Sequence, residues 1–196
     1  MTDYAVNEGA EVEVLDRDIL YIKGVAPWWG DLIALSEEAG GWTKSTELLP
    51  IVGHAITTKR NSNQIVVAGS LDRRFTALEK AIFDTVAFGI ARYTERNHYY
   101  HITEDEGYVL LRYNEGHFYG EHSDTHSHYV DKARVLSLVL YLNDDYEGGA
   151  VTFPRQEVTI KPEAGSMVIF PSTGTHPHEA LEVTKGTKYA VVTWLK

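Results

Sequence analysis

The sequence predicts an α+β fold, with helices in the N-terminal half and a β-sandwich or jelly roll after them that holds the histidines. Three observations lead there. Between Ser70 and Arg96 apolar residues recur at three- and four-residue spacing, the period of an amphipathic helix. After Glu104 the texture changes to short β-rich segments at roughly ten-residue spacing, the pattern of sandwiches and jelly rolls. Among those segments, the stretch Tyr119–Asp131 (YGEHSDTHSHYVD) gathers three histidines beside carboxylates.

Taken in order, EVEVLDRDILYIKG (Glu11–Gly24) alternates as two short strands do, broken at Asp16-Arg17-Asp18. PWWGDLIALSEEAGG follows as a helix, with Pro27 suited to the first turn and Gly40–Gly41 to the stop. The clearest helix carries Leu71, Phe75, Leu78, Ile82, Val86 and Ile90 on one side, with Ser70, Arg73 and Arg74 on the other. It reads as a packing support and is assigned no chemistry. Then come GYVLLRY, RVLSLVLYL, GAVTFP, EVTIKP, SMVIFP, HEALEV and TKYAVVTWL, punctuated by turns at Asn143-Asp144-Asp145 and Gly148-Gly149.

The 196 residues fit a single domain, with residues 1–103 as strands and support helices and residues 104–196 as the core. No apolar run approaches the ~18 residues of a membrane span. The N-terminus is acidic and lacks the basic-then-apolar order of a signal peptide. A cytoplasmic protein away from membranes is the expectation. There is no cysteine, so disulfides, thiolate nucleophiles and Cys-ligated metals are excluded, and any metal needs nitrogen and oxygen ligands. A formal net charge of −10 argues against a broad nucleic-acid surface. Oligomeric state leaves no mark in the sequence.

Two metal-binding patterns overlap in Tyr119–Asp131: His122-Ser123-Asp124 and His126-Ser127-His128. In an extended chain, side chains two apart leave one face with Cα atoms ~6.5 Å apart, so His122 and Asp124 can converge on one ion. A third ligand must come from elsewhere, and His176–Lys188 supplies candidates. Two imidazoles and one carboxylate on one face of an octahedron leave the other face open, as in non-haem Fe(II) oxygenases. The second pair resembles the His-x-His of cupins.

The order of motifs after about Glu106 narrows the choice. Tyr113 and Gly116 precede His122-Ser123-Asp124; Arg134 then leads a strand into Tyr141-Leu142-Asn143; Gly148-Gly149 and Phe153-Pro154 follow. His178, Gly186-Thr187-Lys188 and Trp194 complete the series. The set resembles the 2-oxoglutarate- and Fe(II)-dependent dioxygenases, in particular the prolyl 4-hydroxylase-like branch. The resemblance implies a double-stranded β-helix (jelly-roll/cupin-like) core behind N-terminal supporting helices. It implies Fe(II), 2-oxoglutarate and O2, with ascorbate as an auxiliary reductant.

It also implies roles. His122, Asp124 and His178 would be the metal and catalytic triad, with His178 preferred over His176 because it lies ten residues before Lys188. Lys188 would pair with the far carboxylate of 2-oxoglutarate, helped by a phenol of Tyr113 or Tyr141. Tyr119, Arg134, Trp194 and Glu106 would line the substrate groove, where aromatic rings suit a proline ring. His126 and His128 then fall in a loop after the first ligands, able to close over substrate. The carboxylate of Asp124 favours hydroxylation over halogenation.

The expected reaction is hydroxylation of a prolyl residue in a peptide or protein. The same chemistry on a free amino acid or other small molecule is the alternative. A metal-binding cupin-like protein and a zinc hydrolase are the readings from other classes.

Overall fold

A computed structural model describes residues 4–45, 60–67, 75–125 and 133–196. In the N-terminal half the elements are β1 (Glu11–Asp16), β2 (Ile19–Lys23), α1 (Trp29–Ala39), β3 (Thr43–Lys44), β4 (Arg60–Asn61), β5 (Asn63–Val66) and α2 (Phe75–Arg96). The histidine-bearing half begins with β6 (Val109–Tyr113), β7 (Phe118–His122), β8 (Leu136–Tyr141), β9 (Glu147–Gly148) and β10 (Val151–Phe153). It ends with β11 (Val158–Ile160), β12 (Ser166–Pro171), β13 (His178–Ala180), β14 (Val183–Lys185) and β15 (Lys188–Leu195).

Alternation along β8, with sequence LSLVLY, explains how the layers form. Successive side chains of a strand leave opposite faces. Leu136, Leu138 and Leu140 enter the cluster shared with Leu78, Ile82 and Val86 of α2. Tyr141 and Val139 enter a second cluster, with Val151 and Phe153 of β10. The neighbouring strands repeat the division: Met167 and Ile169 of β12 face the helices, while Val168 and Phe170 face β10. One sheet is therefore covered by helices on one face and by a second sheet on the other, a three-layer arrangement.

The large sheet has the order β1-β2-β12-β8-β15-β6-β5-β3, and its pairings are antiparallel. The second has the order β11-β10-β13-β7-β4, and β14 pairs with β9. This is the double-stranded β-helix with supporting helices that the sequence predicts. The helix-turn residues also behave as expected, since Gly40 takes φ 65° just past α1 and its N–H donates to Ser36 O.

One detail differs from the sequence reading. The predicted strand HEALEV is two strands: after Ala180 the chain turns, Leu181 N–H donates to Ala150 O, and β14 joins β9 instead of β10. In the N-terminal half, β4 pairs with β7 and β5 with β6, extending both sheets. Of the long predicted helix, Ser70, Leu71, Arg73 and Arg74 lie outside the described residues. No helix among the described residues is long and apolar enough to cross a membrane.

Candidate active site

Strand register assembles the three candidate metal-ligating side chains. β13 runs antiparallel to β7 with His178 directly opposite His122, and Asp124 follows two residues after His122. The two imidazole centroids are 4.2 Å apart. His122 Nε2 lies 3.5 Å from Asp124 Oδ1, and His178 Nε2 lies 3.7 Å from Asp124 Oδ2. One ligand atom from each of the three falls within 4.8 Å of the others, and no other group among the described residues does this.

Backbone carbonyls fix both ring tautomers. His122 Nδ1 is 2.9 Å from Gly120 O and His178 Nδ1 is 3.2 Å from His176 O. A carbonyl only accepts, so each Nδ1 carries the proton and each Nε2 turns its lone pair to the cluster. A metal needs neutral imidazoles and an ionised carboxylate. Burial pushes His178 down to about 4, against the opposing pull of Asp124. Burial alone would raise the Asp124 carboxyl, but the His122 contact, the two imidazoles and the Ser137 hydroxyl outweigh it and hold it well below the usual carboxylate range. The donor set fits Fe(II) or a similar divalent ion.

Across the same pocket stands Lys188, on β15 opposite Tyr113 of β6 and 2% exposed. Its Nζ donates to Gly149 O at 2.6 Å, and no described carboxylate pairs with it. Around it stand the rings of Tyr141 at 5.1 Å, Tyr146 at 5.8 Å and Tyr113 at 5.9 Å. Burial pulls its pKa from 10.5 to about 7. The Tyr146 hydroxyl is buried without a hydrogen-bond partner. An unpaired buried cation with spare donors fits an anion better than it fits a core.

Tyr119 stacks on His122, with centroids 3.5 Å apart and planes 13° from parallel. Tyr119 and Trp194 both line the pocket. Arg134 is engaged: its Nε donates to Glu106 Oε2 at 2.9 Å, and its guanidinium lies 3.7 Å over the Trp194 ring. Glu106 also pairs with Lys196 at 3.1 Å. These three predicted groove residues therefore form one braced edge. His176 is buried, hydrogen-bonded to Thr175, and its carbonyl accepts from His178 Nδ1. His126 and His128 lie outside the described residues.

The sequence reading missed Arg60 and Tyr146. Arg60 lines the pocket from β4, paired with Tyr119, its guanidinium 4.7 Å over that ring. Its only local signal is the β-branched run Ile65-Val66-Val67 that follows it. Tyr146 sits in a turn three residues before Gly149, where nothing in the sequence ties it to Lys188.

Comparison with known proteins points the same way. A family model described as the 2OG-Fe(II) oxygenase superfamily matches residues 108–196. A PKHD-type hydroxylase of Parvibaculum lavamentivorans is 41% identical over 93 residues, 45% of this chain and 41% of that protein. Prolyl 3-hydroxylase 2 of Homo sapiens is 42% identical over 66 residues, 31% of this chain and 9% of that protein. The chain thus matches less than half the length of these curated relatives. Among solved structures, a prolyl hydroxylase from Trichoplax adhaerens, in complex with a hypoxia inducible factor oxygen degradation domain peptide fragment, superposes with TM-score 0.72 at 19% identity, over 91% of this chain and 83% of that one. A viral collagen prolyl hydroxylase of Paramecium Bursaria Chlorella virus-1, as a 2OG complex, gives TM-score 0.67 at 20% identity, over 90% and 94%. At that identity the structural likeness speaks for the fold.

Proposed function

We propose, because the model described as the 2OG-Fe(II) oxygenase superfamily matches residues 108–196, that the protein is an Fe(II)- and 2-oxoglutarate-dependent dioxygenase that hydroxylates a prolyl residue of a peptide or protein. The observation that carries the reading is the pairing of two features in one pocket. His122, Asp124 and His178 offer three ligands on one side, and the unpaired Lys188 faces them from the other sheet.

In this reading the triad holds Fe(II), and Lys188 meets the far carboxylate of 2-oxoglutarate with the phenols of Tyr113, Tyr141 and Tyr146 around it. Fe(II) with 2-oxoglutarate and O2 supplies an oxidant for an unactivated C–H bond, releasing succinate and CO2 as the substrate gains a hydroxyl group. The chain's own share is to fix the ligand tautomers, keep water out with the apolar walls of Leu111, Val139 and Phe170, and place the target carbon. Tyr119 and Trp194 offer aromatic faces to a proline ring. Prolyl hydroxylases among the relatives support that substrate class.

One observation favours a second reading. Arg60 has no described carboxylate partner and donates to Ser62 Oγ at 3.0 Å beside the pocket. A guanidinium there suits a small substrate with its own carboxylate, such as a free amino acid.

The test is succinate release by proton NMR with Fe(II), ascorbate and 2-oxoglutarate, with and without an unstructured proline-rich peptide. Succinate that rises with peptide, with a 16 Da gain (one oxygen atom) on the peptide, is the expected result. Release that ignores peptide but rises with free proline supports the second reading. No release from the metal-loaded protein removes the enzyme reading altogether.

A further inference from the structure

Behind the carboxylate of Asp124 lies a chain of two buried hydroxyls. Ser137 Oγ donates to Asp124 Oδ2 at 2.7 Å and lies 2.8 Å from Ser172 Oγ. Ser137 is 0% exposed and Ser172 1%, so neither hydroxyl has bulk water as a partner. A serine hydroxyl has one proton to give. That of Ser137 goes to the carboxylate, which only accepts when ionised. Ser172 must then be the donor in the second bond, and the direction is set: Ser172 to Ser137 to Asp124.

The backbone holds both ends of this chain. Ser172 N–H donates to Val135 O at 3.1 Å. The Thr125 hydroxyl donates to Ser172 O at 2.9 Å, and Arg134 Nη1 donates to Asp124 O at 3.3 Å. Strand period places Ser137 on the site face of β8, between leucines that face the helices. A buried hydroxyl on an apolar strand costs stability unless it is bonded. Its position is explained by the carboxylate it serves.

We propose that Ser137, oriented by Ser172, is a positioning residue for the metal centre, occupying Asp124 Oδ2 and presenting Oδ1 as a single-point ligand. This rests on His122, Asp124 and His178 being the metal ligands. A carboxylate that chelates through both oxygens takes two coordination positions, and a serine hydrogen bond that draws on one oxygen biases it toward ligation through the other. The remaining positions stay open, as a facial triad requires.

Co(II) titration of the metal-free protein, followed by visible absorbance, tests it. Ser137→Ala removes the hydroxyl with almost no change of volume and is expected to weaken Co(II) binding roughly 10- to 100-fold, the usual effect of losing an outer hydrogen-bond partner of a ligand. Ser172→Ala, acting only through Ser137, is expected to lose less in the same direction, and it reads the relay by itself if Ser137→Ala does not fold. Thr193→Val removes another buried hydroxyl, one without a partner, and should leave Co(II) affinity unchanged. If the parent binds Co(II) and Ser137→Ala stays within about twofold of it, well short of an outer-shell loss, the relay is wrong while the metal site stands. A larger loss in Ser172→Ala than in Ser137→Ala overturns the order of the relay. If the parent itself fails to bind Co(II), the metal-site reading falls and the relay with it.

Discussion

Lys188 carries the sharpest consequence at the scale of single residues. Burial lowers its pKa from 10.5 to about 7, with no described carboxylate to oppose the shift. Above pH 7 the folded chain without ligand holds this amine largely neutral, while an unfolded chain keeps it protonated up to its ordinary value. The unfolded state then binds more protons, so this residue makes stability rise with pH from about 7 to 10.5. A carboxylate placed against Lys188 restores the charge, so 2-oxoglutarate binding in the proposed pose must take up a proton. Affinity for 2-oxoglutarate should fall about tenfold per pH unit above 7 until the bound-state pKa is reached. Calorimetry at pH 8 on Mn(II)-loaded protein, in buffers of different ionisation enthalpy, reads that uptake directly. Binding heats that do not change between buffers would exclude it. The same logic predicts that Lys188→Met loses 2-oxoglutarate binding yet melts at a higher temperature than the parent near pH 7, because it removes a buried, unpaired ammonium.

The elements depend on how closely α2 lies on the large sheet. Gly89 is the contact point: a Cβ added there would collide with Met167 Sδ and come within 3.0 Å of Ile169 Cδ1, both on the helix-facing side of β12. Glycine in a helix interior costs about 1 kcal/mol in propensity, so its place here is a matter of approach distance. Gly89→Leu gains propensity but overpacks a buried seam, at a cost of roughly 1–3 kcal/mol. At about 2–4 °C per kcal/mol for a chain of this size, the melting temperature should drop several degrees, measurable by circular dichroism. An unchanged melting temperature would mean the helix can ride outward freely. Elements of this kind were legible where one period ran unbroken, as in LSLVLY and the apolar stripe of α2. The short strands between α1 and α2 were not, because β3, β4 and β5 are two to four residues long and draw their stability from pairing, β4 with β7, β5 with β6 and β3 with β5. Arg60 was missed for that reason, since its place depends on which strand sits beside β7. The two imidazoles and Asp124 could be anticipated from motif order, whereas the Ser172–Ser137 relay depends on a register that no local pattern encodes.

At the scale of the molecule, the two sheets supply opposite halves of one site. His122 and His178 come from the smaller sheet, with Asp124 just beyond it, and Lys188 from the larger. The helix-covered face includes Leu110, Leu136, Leu138, Leu140 and Met167, so residues 104–196 alone would expose a broad apolar surface. A single cooperative unfolding transition is therefore expected for the whole chain in calorimetry, with calorimetric and van't Hoff enthalpies equal. Ligands that touch both sheets should reinforce that transition in a particular order. A metal ion binds one sheet's ligands and stabilises by its own occupancy, about 2.7 kcal/mol at one hundred times its Kd. In the proposed pose the diacid would span from the metal to Lys188, and it should add a second increment only when metal is present. In Lys188→Met the metal increment should persist and the 2-oxoglutarate increment should vanish, both read as melting-temperature shifts with Mn(II) in place of iron. A 2-oxoglutarate shift that survives the substitution would place its far carboxylate elsewhere, with Arg60 as the other cation among the described residues that line the pocket.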